Sequence, residues 1–403
     1  EDGCYAPTTH EVNERGLQKD LDLKYEDQTL AVYPAPLAPH PYPYPFHMDR
    51  EAGIEAYQAM ITAEEYQARQ DRGDDSALHL YSADGESPVI QVKVSRAAQS
   101  ADGVMVYDFT PVDGGDLPQW QAGAHLDIVV APEYLRQYSM YGDPADRSRY
   151  QIAVLREDAG RGGSKLMHRI FSEGRRIFIS RPINHFPLAG GARNSILMGG
   201  GIGITPMIAM AHELHAKGLD FTLHYSGRSR ASMALLDEIT SFPWASRVHL
   251  HITDEGSRAD LGRIIPPYAS GHHIYTCGAD RYMSAVMAAA ETAGYPEEAR
   301  HLEYFSVPEQ PDYVNHPFTL KLAKSGRELT IPAEKTATDV LQENGISIDV
   351  KCSDGICGVC QCGLISGEVE HRDFVLSKAQ RETTVILCQS RAAAKDGVIE
   401  VDL

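Results

Sequence analysis

The chain has 403 residues, a length that predicts roughly two to four domains. Its composition, 43% apolar and 23% charged, is that of globular protein and excludes disorder for the bulk of the chain. With 37 basic against 56 acidic residues the formal charge is −19, which argues against nucleic acid or an anionic membrane as partner. The sequence shows neither a membrane-spanning apolar run nor a signal peptide, so we expect a cytoplasmic protein.

The N-terminal region differs in composition from the rest. Residues 1–75 hold 16 acids and 6 bases, and residues 31–46 hold six prolines, which exclude helix and favour polyproline II. A stiff linker and a segment docked on a partner surface both fit this pattern. A helix is predicted from Asp49 to about Gln70. We assign residues 1–85 to an acidic, proline-rich extension.

From about Ser87 the pattern changes to short alternating strands separated by glycine-containing turns. This pattern predicts an antiparallel β-barrel over residues 86–190. The predicted strands are residues 89–94, 105–109, 125–130, 150–155 and 176–179.

From about Ser195 strands alternate with helices, which predicts a parallel α/β sheet over residues 191–306. The predicted strands are residues 195–198, 221–225, 248–252 and 273–277. Two of them precede helices that end near Lys217 and Ala293. Residues 307–315 are predicted to be a linker, and residues 316–403 a last compact unit. The predicted fold class is therefore multidomain α+β.

Five of the seven cysteines lie in the last 52 residues, which favours metal ligation over disulfides. Four of them follow the plant-type 2Fe-2S pattern, C-x4-C-x2-C and then one more after 27 residues: Cys352, Cys357, Cys360 and Cys388. Gly355 and Gly358 let this loop turn tightly and direct backbone N–H groups at the sulfurs. Zinc is the alternative, but zinc ribbons use two short C-x2–4-C pairs. Cys362 is predicted to be a buried thiol outside the ligand set.

A glycine-rich segment, MetGlyGlyGlyIleGlyIleThrProMet at 198–207, connects a predicted strand to a predicted helix. Such a turn lets a pyrophosphate approach the backbone at a helix N-terminus, although tight packing alone also selects glycine. ThrCysGlyAlaAsp at 276–280 ends a later strand of the same sheet. Cys277 is therefore expected at the ligand crevice, with a plain core thiol as the alternative.

A nicotinamide delivers two electrons at once and a 2Fe-2S cluster accepts one, so a flavin must stand between them. In the predicted barrel, ArgGlnTyrSer at 136–139 offers a cation for a phosphate, a ring for an isoalloxazine and a hydroxyl for its N5 edge. GlyArgGlyGlySerLys at 160–165, which includes Gly162, precedes a predicted helix and supplies a second phosphate cradle.

These motifs, taken in order with AsnHisPheProLeu at 184–188, resemble the phthalate dioxygenase reductase family within the ferredoxin-NADP reductase superfamily, over residues 87–403. The resemblance implies a C-terminal ferredoxin, FMN, NADH and an external oxygenase component as acceptor. Its FMN positions match Arg136, Tyr138, Ser139, Gly163 and Ser164. Its dinucleotide positions match Gly199, Gly200, Gly201, Thr205, Cys277 and Gly278. Phe305 matches the aromatic residue near the flavin ring. Our candidate catalytic residues are Ser139, Cys277 and Phe305.

Two departures from the family pattern stand out: residues 1–85 have no counterpart, and MetTyrGlyAsp at 140–143 replaces the more usual leucine after the serine. The choice of dinucleotide stays open from the residues alone. GlyArgSerArg at 227–230 follows the second strand of the sheet, where two arginines can pair with a 2′-phosphate. The resemblance favours NADH, because family members carry similar basic residues there.

We therefore predict an enzyme, the NADH-dependent reductase subunit of a multicomponent oxygenase whose other component is Rieske-type or another iron or haem monooxygenase. A self-contained flavin reductase acting on a small acceptor is the alternative. A non-catalytic structural subunit is a third hypothesis. The sequence lacks H-E-x-x-H and G-x-S-x-G motifs, so we expect neither oxygen activation nor hydrolysis within this chain.

Overall fold

A computed structural model describes residues 89–112, 114–131, 134–158, 162–307, 313–346, 348, 350, 353–356 and 358–403. The proline-rich extension and its predicted helix lie outside these residues. The chain divides into two compact units, Glu1–Glu303 and Tyr304–Leu403. The domain boundaries assigned above stay predictions. No helix in the described part of the chain combines the length and apolar character needed to cross a bilayer.

The first sheet of the first unit has seven antiparallel strands. They are β1 (Val89–Ala101), β2 (Val104–Pro111), β3 (Ala124–Ala131), β4 (Tyr134–Ser139), β5 (Tyr150–Leu155), β6 (Arg176–Ser180) and β7 (Ile183–Asn184). Six of them run in the order β4–β3–β6–β1–β2–β5, and β7 pairs with β3. A bridge between Met140 and Ile152 connects the two ends of this path, so the sheet is a nearly closed barrel. The predicted antiparallel barrel is confirmed.

The barrel forms because β-branched and aromatic residues occupy its inward positions. Val92, Val94 and Phe109, from β1 and β2, are fully buried and share one face, because Val94 pairs with Phe109. Helix α1 (Gly163–Ile170) lies between β5 and β6 in the chain and buries Leu166, among others. It is amphipathic, with Leu166, Met167 and Ile170 on its buried side, as a helix against a sheet requires.

The second sheet of the first unit has five parallel strands in the order β10–β9–β8–β11–β12. They are β8 (Asn194–Gly200), β9 (Asp220–Gly227), β10 (Val248–Ile252), β11 (His272–Cys277) and β12 (Arg300–Glu303). The helices of this part are α2 (Ile204–Ala216), α3 (Leu236–Ser241), α4 (Leu261–Ile264) and α5 (Asp280–Thr292). Because β9 and β11 lie on opposite sides of β8, the strand order reverses there. Sheets of this type bind ligands at the carboxyl ends of the strands at that point.

Hydrogen bonds join the barrel to the parallel sheet within the first unit. The Ser100 hydroxyl accepts the N–H of Leu235 at 2.8 Å. The carboxylate of Glu213, in α2, accepts the N–H of Ala122 at 2.7 Å. The phenol oxygen of Tyr275, in β11, accepts the N–H of Ala189 at 2.8 Å. These bonds connect the barrel to the part of the unit that carries the glycine-rich segment.

The second unit is built on a mixed sheet with strand order β14–β13–β19–β15–β17 and a two-stranded pair β16–β18. Its strands are β13 (Phe318–Leu322), β14 (Glu328–Ile331), β15 (Gln361–Ser366), β16 (Val369–Glu370), β17 (Thr384–Ile386), β18 (Arg391–Ala392) and β19 (Val398–Val401). Its helices are α6 (Ala337–Glu343) and α7 (Lys378–Arg381). A capping box between Thr336 and Asp339 begins α6. This is the β-grasp arrangement of the predicted ferredoxin, with a core that includes Leu320, Leu341 and Val401.

Candidate active site and cluster site

The predicted flavin-phosphate residues meet between β4 and the start of α1. A Cβ atom added to Gly163 would lie 2.4 Å from Nε of Arg136, so the backbone of Gly163 packs directly on this side chain. Gly162 takes a left-handed conformation, φ 92°, before α1 and provides no side-chain cap. The Ser164 hydroxyl accepts the N–H of Glu157 at 3.1 Å. Gly160 and Arg161 lie outside the described residues.

This arrangement fits the phosphate of an FMN. A guanidinium and the N–H groups at the start of a helix are both groups that bind phosphate, and here they are adjacent. Tyr138 is half-buried, and burial raises the pKa of its phenol above the ordinary value. Ser139, at the end of β4, is buried.

The glycine-rich segment packs against the end of β11. A Cβ atom on Gly203 would lie 2.3 Å from the carbonyl of Cys277, and one on Gly278 would lie 2.8 Å from the carbonyl oxygen of Gly200. Gly201, by contrast, has φ 56° and open space around its Cα. Tight packing thus explains Gly203 and Gly278, and Gly201 leaves room for a pyrophosphate to approach the backbone. The role of the segment in binding a pyrophosphate stays a prediction.

Two side chains complete this crevice. Thr205, in the first turn of α2, is buried, and its hydroxyl donates to the carbonyl of Ile202 at 3.1 Å. The ring of Tyr282, in α5, covers Gly200, where an added Cβ would lie 2.7 Å from a ring carbon. Tyr282 was not predicted as a site residue, because the sequence around a helical tyrosine does not indicate which strand its ring contacts.

Cys277 lies between Gly199 and Glu303, its partners in the neighbouring strands β8 and β12. The thiol is fully buried, and burial, with Glu303 as a second cause, raises its pKa well above the usual value. The Ser139 hydroxyl donates to Oε2 of Glu303 at 3.1 Å. Burial raises the pKa of Glu303 to about 7, and the hydrogen bond from Ser139 opposes this shift. Ser139 and Cys277, predicted separately, are thus brought together by one carboxyl group.

Glu303 is a second site residue that sequence reasoning missed. Its only signal was its place beside Tyr304 and Phe305, in a segment singled out for the aromatic ring. With a pKa near neutrality and a position at the strand ends, it can hold or release a proton beside the crevice. Phe305 is 41% exposed and belongs to the second unit. Its predicted role at the flavin ring stays a prediction.

The predicted cluster site lies in the second unit. Cys360 and Cys388 are both buried in one small core with Val350 and Ile386. The N–H of Leu387 donates to the carbonyl of Cys360 at 3.2 Å, which connects the two ligand segments. Cys352 and Cys357 lie outside the described residues. The two described cysteines therefore lie in the same small core, and their role as cluster ligands stays a prediction.

The loop around these cysteines turns as predicted. Gly355 and Gly358 have φ of 74° and 72°, a left-handed conformation that glycine adopts without strain. The side-chain amide of Gln389 donates to the carbonyl of Ser353 at 2.6 Å, and the N–H of Phe374 donates to the carbonyl of Gly355 at 3.0 Å. Cys362, in β15, is buried in the other core of this unit, as predicted for a thiol outside the ligand set.

Comparison with known proteins agrees with this geometry. Residues 320–393 match the model of the 2Fe-2S iron-sulfur cluster binding domain. Phthalate dioxygenase reductase of Burkholderia cepacia is 35% identical over 78% of this chain and 98% of its own length. The chain belongs to the phthalate dioxygenase reductase family. The tert-butanol monooxygenase / tert-amyl alcohol desaturase reductase subunit of Aquincola tertiaricarbonis is 37% identical over 81% of this chain and 100% of its own length.

A solved structure of an intact type IV self-sufficient cytochrome P450 monooxygenase is also similar, at 36% identity and a TM-score of 0.70 over 78% of this chain. The chain spans 41% of the length of that protein. Membership of the family confirms the predicted class of enzyme, an electron-transfer reductase that serves an oxygenase component. The predicted cofactors, FMN, a 2Fe-2S cluster and NADH, agree with this membership.

Proposed function

We propose that this chain collects electrons from NADH at the crevice of the parallel sheet and passes them through FMN in the barrel to the 2Fe-2S cluster. The observation that carries the proposal is the hydrogen bond between Ser139 of the barrel and Glu303 of the sheet, beside Cys277. It supports a single reaction centre in which the flavin position and the dinucleotide position are neighbours. Bound there, FMN would accept a hydride and give up its electrons one at a time.

In this proposal Arg136 and the N–H groups of Gly163 and Ser164 hold the FMN phosphate, with Gly162 providing the turn. Tyr138 lies against the isoalloxazine. Ser139 presents its hydroxyl to the ring edge. The packing of Gly163 on Arg136 supports this assignment, because it places cation and helix start at one point.

The dinucleotide would lie over the ends of β8 and β11. Gly199, Gly200 and Gly201 would line the pyrophosphate, with Thr205 supporting the start of α2. Cys277 and Gly278 would border the nicotinamide. Because Cys277 is neutral and fully buried, its proposed role is to shape and exclude water from the crevice, and the titrating group there is Glu303.

The proposed cluster ligands are Cys352, Cys357, Cys360 and Cys388. The burial of Cys360 and Cys388 in one core supports the assignment of these two. Four thiolates of this type hold a cluster that carries one electron at a time and performs no substrate chemistry. The chain itself would therefore deliver electrons to an acceptor outside these units.

For the acceptor we propose the iron-dependent oxygenase component of a Rieske-type or haem monooxygenase system. Similarity to reductase subunits supports a separate component, and similarity to the cytochrome P450 structure supports a haem acceptor. We further propose that residues 1–75 dock on this partner and form a stable complex, and that the protein is cytoplasmic. Deleting residues 1–75 should spare reduction of a small acceptor by NADH and weaken partner binding. Equal partner affinity at equal ionic strength would contradict the docking role.

The proposed function is tested by cofactor content and electron delivery together. Acid extraction should release FMN, and iron and sulfide assays should give one 2Fe-2S cluster per chain. NADH should then support reduction of the cluster and of an added oxygenase component. Release of FAD, absence of iron, or transfer only to small acceptors would contradict it, and the last outcome would favour the self-contained flavin reductase.

A further inference from the structure

Two turns of opposite charge lie against each other at the carboxyl ends of β9 and β10. The basic turn runs from Arg228 to Arg230, and the acidic one is a 3-10 turn, Thr253–Glu255. Nε and Nη2 of Arg230 donate to the two carboxylate oxygens of Glu255 at 2.7 and 3.1 Å. The N–H of Asp254 donates to the carbonyl of Arg228 at 2.9 Å. The guanidinium of Arg230 is therefore held by a forked ion pair.

These turns lie where the adenosine end of a dinucleotide would lie. Strand β9 pairs with β8, and Ser226 is opposite Gly200 in the glycine-rich segment proposed for the pyrophosphate. In sheets of this class, the residues after the strand next to that segment contact the adenosine ribose. An acidic residue there favours a free 2′-hydroxyl, and an arginine accommodates a 2′-phosphate.

We propose that Glu255 selects a dinucleotide without a 2′-phosphate, by occupying the fork of Arg230 and by placing negative charge beside it. The proposal rests on the nucleotide site of the proposed function. Two acids, Asp254 and Glu255, balance the two arginines of the neighbouring turn. The sequence alone left both arginines available to a phosphate, because Glu255 is 25 residues from Arg230 and follows a different strand.

The exposure of the pair supports a role in recognition over one in stability. The side chains of Arg230 and Glu255 are 60% and 47% exposed, and ion pairs in such positions contribute little to folding stability. Both are therefore reachable by a ligand. Arg228 is also exposed, and its side chain makes no hydrogen bond or ion pair within the described part of the chain. In the wild-type protein, Arg228 would then be the side chain that binds a 2′-phosphate weakly.

The experiment uses the full-length holoprotein and compares kcat/KM for NADH and NADPH with a small artificial acceptor. Glu255→Gln should raise kcat/KM for NADPH roughly tenfold, because the guanidinium of Arg230 is then available to pair with the 2′-phosphate, and the preference for NADH over NADPH should fall accordingly. Adding Arg230→Ala should cancel the gain. Asp260→Asn is the matched control, since it removes a carboxylate from another exposed ion pair, with Arg263 at 3.3 Å.

A binding measurement separates this inference from the proposed function. Calorimetry with adenosine 2′,5′-bisphosphate should show tighter binding to Glu255→Gln than to wild type by a similar factor, and 5′-AMP should bind both alike. An unchanged preference between the two dinucleotides in Glu255→Gln, or a gain that survives Arg230→Ala, would overturn the inference. A wild-type protein that oxidises neither dinucleotide would instead contradict the proposed function, and the two adenine nucleotides would still decide the role of Glu255.

Discussion

The hydroxyl of Ser139 donates to the carboxylate of Glu303 at 3.1 Å, across the border between the barrel and the parallel sheet. Ser139 ends β4, and Glu303 ends β12 beside Cys277 in the neighbouring strand. A residue proposed to face the flavin is thereby connected to a titrating group at the nucleotide crevice. We propose that electron entry in this protein depends on that junction.

Glu303→Gln should change how stability depends on pH. A carboxyl group with a raised pKa binds its proton more tightly in the folded protein, so its contribution to stability is full below about pH 4.5 and is lost as the pH rises to about 7. Wild type should therefore lose up to about 3 kcal/mol relative to Glu303→Gln between pH 5 and pH 8. Calorimetric unfolding of both proteins at pH 5 and at pH 8 measures this difference in the free energy of unfolding. Glu298→Gln, at an exposed site, is the control, and parallel pH profiles for all three proteins would contradict the assignment.

Gly203→Ala should damage the nucleotide crevice. The new Cβ would lie 2.3 Å from the carbonyl of Cys277, a backbone group that cannot move independently, so the turn that holds Gly203 must shift away from the end of β11. Overpacking of this kind costs about 1–3 kcal/mol. Flavin reduction by NADH should slow strongly in single-turnover measurements. Gly262→Ala, where the nearest atom is 3.6 Å away, is the matched control and should leave the rate unchanged. Equal rates in both variants would show that the close approach is unimportant.

Glu213 should hold the barrel against helix α2. Its carboxylate accepts the N–H of Ala122 at 2.7 Å and the ammonium of Lys217 at 2.6 Å. Glu213→Ala leaves a part-buried N–H without this acceptor and should cost about 1–3 kcal/mol, with slower flavin reduction by NADH. Lys217→Met removes only an exposed ion pair and should cost less than about 1 kcal/mol. If the two variants behave alike in unfolding and in flavin reduction, the contact with Ala122 has no such role.

Comparing Cys388→Ser with Cys362→Ser distinguishes a cluster ligand from a thiol that only fills the core. Both thiols are buried in the second unit, but Cys388 lies beside Cys360 and Cys362 lies in the other core. Cys388→Ser should lose iron, sulfide and the electron paramagnetic resonance signal of the reduced cluster. Flavin reduction by NADH should persist, because that chemistry belongs to the first unit. Cys362→Ser should keep its iron. A full cluster in Cys388→Ser would exclude Cys388 as a ligand.

Periodicity predicted the regular elements well where apolar residues alternate. Strands β5 and β10 begin and end at the predicted residues, 150–155 and 248–252. Strand β4 was not predicted, because its ArgGlnTyrSer segment has little alternation and is paired through its backbone with β3. In that case tertiary pairing, not local propensity, determines the strand.

Residues of the candidate site could be predicted from the sequence only where each lies in a recognisable local motif. Arg136 and Gly163 each belong to one, and their contact brings the two motifs together. Glu303 and Glu255 have hydrogen-bond partners that are distant in the sequence, Ser139 and Arg230, so the roles proposed for them depend on tertiary contacts. The residues next to Glu303 and Glu255 in the sequence do not indicate these partners.

The central claim is the order of electron flow, and anaerobic stopped-flow reduction of the full-length holoprotein by NADH tests it most directly. Absorbance should show the flavin reduced first and the cluster second, and rapid-freeze samples should show the reduced-cluster signal rising after the flavin has bleached. Cys388→Ser should retain the first phase and lose the second. Reduction of the cluster without prior reduction of the flavin, or a cluster that stays oxidised while the flavin cycles, would contradict the account.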